Sequence, residues 1–131
     1  MASICKEILI DAPVDQVWAA LRDFGALHER LVPGFVVAAE MRGDVRVITF
    51  FNGSVAQERL VGTDDEARRL AYTVIDGPLG ATHHNASAQV VEEEGGRSRF
   101  VWVTDVLPDE LDAPVSGLMD RGLATIKETL E

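Results

Sequence analysis

The chain has 131 residues, 47% of them apolar, and carries 12 basic against 22 acidic side chains, a formal net charge of −10. That is ample apolar material for one packed domain over 1–131, and the negative field repels phosphate backbones and anionic lipid surfaces, so nucleic acid is not an expected partner. No apolar run approaches the roughly 20 residues that span a bilayer, and the start lacks a basic stretch followed by an apolar core, so no membrane insertion and a cytoplasmic location are expected.

Residues 3–10 are rich in β-branched and apolar side chains and read as a strand closed by Asp11, Ala12 and Pro13. Cys5 within it is the sole cysteine, which leaves no intramolecular disulfide and no cysteine-based metal site. Val14, Val17, Trp18 and Leu21 then fall on one helical stripe, with Asp11 as the expected cap and Pro13 tolerated in the first turn. Gly25 ends this short helix, and a second helical piece over 26–31 stops before Pro33 and Gly34.

From residue 35 the signals are those of a meander. Runs at 35–41, 45–51, 55–61, 70–75, 86–91 and 99–106 are separated by turn-forming pairs, including Asn52-Gly53, a strong hairpin signal, so the sheet is expected to be mostly antiparallel. The closing element starts near Asp112, where Val115, Leu118, Met119, Gly122, Leu123, Ile126 and Leu130 recur at helical spacing. At about 1.5 Å per residue it is long enough to cross the sheet.

The order of Ala12-Pro13, Val17-Trp18, Asp23-Phe24, Pro33, Arg46, Glu58-Arg59-Leu60, Asp64, Tyr72, Gly77-Pro78-Leu79, Trp102, Pro108 and the final helix resembles the START/Bet v 1-like (SRPBCC) superfamily, and within it the small bacterial polyketide cyclase/dehydrase and lipid-transport-like proteins. The resemblance covers essentially the whole chain. It implies an α+β helix-grip fold: a curved seven-stranded antiparallel sheet wrapped around a long C-terminal helix, two short helices after the first strand, and an apolar cavity. It further implies a small hydrophobic partner such as a lipid or polyketide, with a cyclase/dehydrase-like enzyme as the alternative. The pattern holds no universal catalytic set, so resemblance alone assigns no enzyme. Where many relatives carry an aromatic residue two positions before the proline of the second helix, this chain has Leu31, which weakens stacking on a planar ligand.

Glu58 sits inside an apolar strand and matches a position that faces the cavity in similar proteins. There it would hold a ligand hydroxyl or act as acid or base; the other reading is a surface ion pair with Arg59 or the cross-strand Arg46. In the last strand, alternation puts Val101, Val103 and Asp105 on one face and Phe100, Trp102 and Thr104 on the other. Both faces are apolar, and the resemblance favours Val103 and Asp105 as inward. His83 and His84 point to opposite faces and cannot share one metal from a regular strand. His84 is therefore a pocket candidate in its own right, with Asn85 and Ser87 lining the strand's polar face, against the alternative of a solvated edge. The glycine- and proline-rich loop at 77–80 is either an entrance loop or an ordinary strand connection. Tyr72, Met119 and Leu123 read as core residues that border any cavity, and His28 as exposed at its mouth. No nucleotide, nucleophile or metal motif is present, and no cofactor is expected. The same acidic surface disfavours self-association and leaves a monomer or homodimer.

Overall fold

A computed structural model describes residues 2–131. Its first strand, β1 (Ala2–Ile10), buries Ile4 and Ile10 and leads through the Ala12-Pro13 corner into helix α1 (Val14–Arg22). Pro13, extended at φ −67° and ψ 149°, occupies the N-cap, and no side chain caps the helix. Asp11 is thus not the cap: it lies too far upstream, and its own N–H donates to Glu131 Oε2 at 3.0 Å. One 3-10 turn at Phe24–Ala26 joins α1 to the short helix α2 (Leu27–Arg30).

Strands β2 (Val36–Arg42), β3 (Val45–Phe50), β4 (Val55–Asp64), β5 (Arg69–Asp76), β6 (His83–Glu93) and β7 (Arg97–Leu107) follow, and helix α3 (Asp112–Leu130) closes the chain. The seven strands form one antiparallel sheet in the order β1-β7-β6-β5-β4-β3-β2, so the first and last strands are neighbours and β2 lies at the far edge. This is the helix-grip architecture. Register shifts between Val36 and Ala38, Gln57 and Glu58, and Leu60 and Gly62 insert unpaired residues that bend and twist the sheet toward α3. Val61, the unpaired residue of the third shift, is 66% exposed.

The period of two decides which side chains meet the helix. Ala86, Ala88 and Val90 of β6 stand opposite Thr104, Trp102 and Phe100 of β7, and all six face inward. From α3 come Val115, Met119, Gly122, Leu123 and Ile126, buried at helical spacing. A Cβ on Gly122 would stand 3.0 Å from the Trp102 ring, so glycine here brings helix and indole into close contact. α1 adds Val17, Trp18, Ala20 and Leu21, and the Trp18 indole donates to Asp65 Oδ1 at 3.1 Å.

Where α1 begins, Ser98 is fully buried and its hydroxyl donates to the Ala12 carbonyl at 2.6 Å, fixing the corner against β7. Ser98→Ala leaves that carbonyl without its partner and should cost ~1–3 kcal/mol. Urea unfolding would show this as a lower midpoint with an unchanged slope.

Candidate functional site

Between the concave face of the sheet and α3 lies a cavity of about 110 Å³ walled mainly by Leu21, Leu31, Phe35, Phe100, Trp102 and Met119. A second space of about 140 Å³ adjoins it under the 77–80 loop. The two share Phe50, Glu58, Leu79, His84 and Leu118 as lining, so Glu58 and His84 stand at the junction.

Arg46 and Glu58 are opposite each other on β3 and β4 and both point inward. Arg46 Nε donates to Glu58 Oε1 at 2.8 Å, with the two side chains only 7% and 9% exposed. Arg46 also donates to the Phe24 carbonyl at 3.1 Å, and its guanidinium lies 3.8 Å from the Phe24 ring centroid and 5.1 Å from that of Tyr72. A guanidinium stays charged under all ordinary conditions, so its burial demands this many partners. The two sequence readings of Glu58 therefore hold together: it pairs with Arg46, yet the pair is buried at the cavity wall rather than on the surface.

Burial first, then the Glu58 carboxylate, raise the Tyr72 phenol above its ordinary range, against smaller opposing effects of Arg46 and the Trp102 indole. Tyr72 therefore keeps its proton as a donor. The Trp102 indole N–H lies near that hydroxyl, but is buried and meets no acceptor in hydrogen-bonding geometry. Burial lowers the pKa of His84, with Glu58 acting in the opposite direction and His83 adding to the lowering. His84 is thus held neutral near pH 7, a donor on one nitrogen and an acceptor on the other. Because protonation is easier in the unfolded chain, the stability that His84 contributes is present above the ordinary histidine value of 6.5 and is lost as pH falls below it. His84→Gln should flatten that acid limb in melting temperatures measured from pH 7.5 to about 5.

A family model described as polyketide cyclase/dehydrase and lipid transport matches residues 1–131. The chain belongs to this family. No curated protein shows significant sequence similarity to it. Among solved structures, this polyketide cyclase/dehydrase-family chain is similar to an uncharacterised protein from Bacillus thuringiensis, with a TM-score of 0.89, 23% identity and 98% of each chain covered. A Thermobifida fusca protein shares 29% identity at a TM-score of 0.81, over 99% of this chain and 91% of that one. The third is the di-domain ARO/CYC BexL from the BE-7585A biosynthetic pathway, with a TM-score of 0.83, 19% identity, and coverage of 98% of this chain and 46% of that one.

In this family member Leu31, Glu58, Tyr72, His84 and Met119 line the inner chamber together. Leu123 is buried in the neighbouring apolar core and is not part of the lining. Asn85, Ser87, Val103 and Asp105 lie on the opposite, outer face, where they border a shallow depression with Val61 and Arg69. For Val103 and Asp105 this reverses the expected face of β7, and Asp105 accepts a hydrogen bond from Ser3 on the neighbouring strand β1 at 2.6 Å. Asn85 and Ser87 follow from alternation, because with His84 inward its neighbour must point outward. His28 is not exposed at the mouth either: its side chain is 20% exposed, its Nδ1 is buried without a partner, and its Nε2 stands 3.1 Å from Glu29. Arg46, Trp102 and Thr104 are the polar groups lining the inner chamber that the sequence reading missed. The signal for Trp102 lay in β6, whose Ala86, Ala88 and Val90 alternate cleanly with Asn85, Ser87 and Gln89 and fix the face of the strand paired to it. Among the described residues no group of three His, Cys, Asp or Glu side chains is placed to hold a metal ion, and no helix is long and apolar enough to cross a membrane.

Proposed function

We propose that this protein binds a small, largely apolar molecule between the sheet and α3, with the molecule's polar end at Glu58, His84, Tyr72 and Trp102. The observation that carries this reading is an apolar-walled cavity whose few polar groups converge, including a buried indole N–H with nothing to bond. Apolar walls supply affinity and the few polar groups set orientation, the usual division of labour in small-molecule sites. A hydrocarbon surface of about 300 Å² buried at ~25 cal/mol/Å² contributes ~7 kcal/mol before the costs of association. Micromolar affinity is the consequence unless the polar groups are also engaged. The acidic chain has no use for nucleic acid as a partner, and we place its action in the cytoplasm, as a monomer or homodimer.

Native mass spectrometry of the purified protein, compared with the denatured chain, tests this. A non-covalent mass that disappears on denaturation supports it. A bare chain that also fails to shift its melting temperature with any of a panel of one- and two-ring apolar compounds overturns it.

A second reading, a cyclase/dehydrase-type enzyme, is favoured by the groups gathered at the chamber junction: a Glu58 carboxylate paired with Arg46 and a neutral His84, with a protonated Tyr72 beside them. The ARO/CYC name of one structural relative points the same way. Glu58→Gln separates the two readings, since a binder loses at most some affinity, whereas an enzyme loses turnover with little change in binding.

A further inference from the structure

Resting on the binding reading above, we propose that the ligand is an uncharged two-part molecule carrying a hydroxyl where the chambers meet and a carbonyl or ether oxygen in the inner chamber, and that carboxylates are rejected. Size supplies the first step. At about 110 and 140 Å³, each chamber alone is smaller than the roughly 150 Å³ that holds a single benzene ring in an engineered apolar cavity. A molecule larger than one ring must occupy both and pass Glu58 and His84.

Charge supplies the second step. Among the described residues, the ionisable groups lining the two chambers are Arg46, Glu58, Tyr72 and His84, with Asp76 in the outer one. Arg46 is the sole cation of the set, and Glu58, the Phe24 carbonyl and two aromatic rings already engage it. Among the described residues no free cation is left there to receive an anionic head, while Glu58 and Asp76 both repel one.

Hydrogen bonding supplies the third. Arg46 engages one oxygen of Glu58, and the carboxylate borders both chambers, so a ligand hydroxyl at the junction has the other oxygen of a charge-paired carboxylate to donate to. Deeper in the inner chamber the Trp102 N–H lacks an acceptor, and the Tyr72 hydroxyl is a donor beside it. An oxygen on the ligand satisfies this end. The pattern therefore reads hydroxyl at the waist and acceptor oxygen inside, on an apolar frame.

Three probes of nearly one shape test it by fluorescence titration of the full chain near pH 7: 6-acetyl-2-naphthol, 2-acetylnaphthalene, which lacks the hydroxyl, and 6-hydroxy-2-naphthoate, which replaces the ketone with a carboxylate. The hydroxyketone should bind about tenfold more tightly than the plain ketone, and the naphthoate about a hundredfold more weakly than the hydroxyketone. Trp102→Phe keeps the ring, removes the N–H, and should reduce affinity for both ketones by about tenfold. A naphthoate that binds as tightly as the hydroxyketone overturns the inference and leaves the binding cavity standing, as does a hydroxyketone no tighter than the plain ketone. Failure of all three, together with 2-ethylnaphthalene as a wholly apolar probe, overturns the binding reading itself.

Discussion

Arg46→Met should cost ~3–5 kcal/mol of stability, because it leaves the Glu58 carboxylate buried without its cation. For a domain whose total stability is of order 5–15 kcal/mol, that is a large share. The size of the effect comes from the asymmetry of buried pairs: the intact pair adds little net stability, whereas a lone buried charge is expensive. The double variant Arg46→Met with Glu58→Leu should therefore recover most of the loss. Equilibrium unfolding in urea would measure both, and an Arg46→Met protein as stable as the parent would show that Glu58 reaches water.

Phe100→Ala should be as damaging for a different reason, and partly reversible. Phe100 is 1% exposed at the back of the inner chamber and packs with Val90 across the sheet. Its truncation removes a buried ring and leaves a void, at ~3–5 kcal/mol. The void is continuous with a space that is already present, so the variant should accept benzene or indole where the parent accepts neither as well. At about 100 times its dissociation constant, such a ligand returns ~2.7 kcal/mol. Thermal melts of parent and variant with and without indole would show the rescue. A variant destabilised to the stated degree but unmoved by either compound would mean that the sheet collapses into the void.

The architecture was legible because its signals are local and mutually consistent. Asn52-Gly53 marks a turn and the 3.6-residue stripe from Val115 to Leu130 marks the helix, each independently of the rest. The site was legible only in part, because it depends on which face of each strand turns inward. Glu58 was found because a carboxylate among apolar neighbours is conspicuous. Trp102 was placed on the wrong side because Val101 and Val103 are as apolar as Phe100 and Trp102, so alternation within β7 gives no polarity to read. The missing information is cross-strand: Ser87 pairs with Val103 and Ala88 with Trp102, and only that register transfers the clear pattern of β6 onto its neighbour. Arg46 was hidden by its charge, since a lone arginine in a strand is usually solvated, and its burial follows from Glu58 and the Phe24 and Tyr72 rings, residues brought to it by three other segments.

The pairing of β1 with β7 has a bearing on how the chain acquires its structure. Strands β2 to β7 form by successive local hairpins, which close quickly, whereas Ala2 must find Val106 and Ile10 must find Ser98 across almost the whole sequence. Phe100 and Trp102 sit on the last hairpin strand and Met119 on the helix after it. During synthesis the meander thus emerges with its inner face bare, and the space that would hold a ligand does not exist until α3 packs across the sheet. A ligand present at that moment contributes to the last closing step and to none before it, so it should slow unfolding far more than it speeds folding.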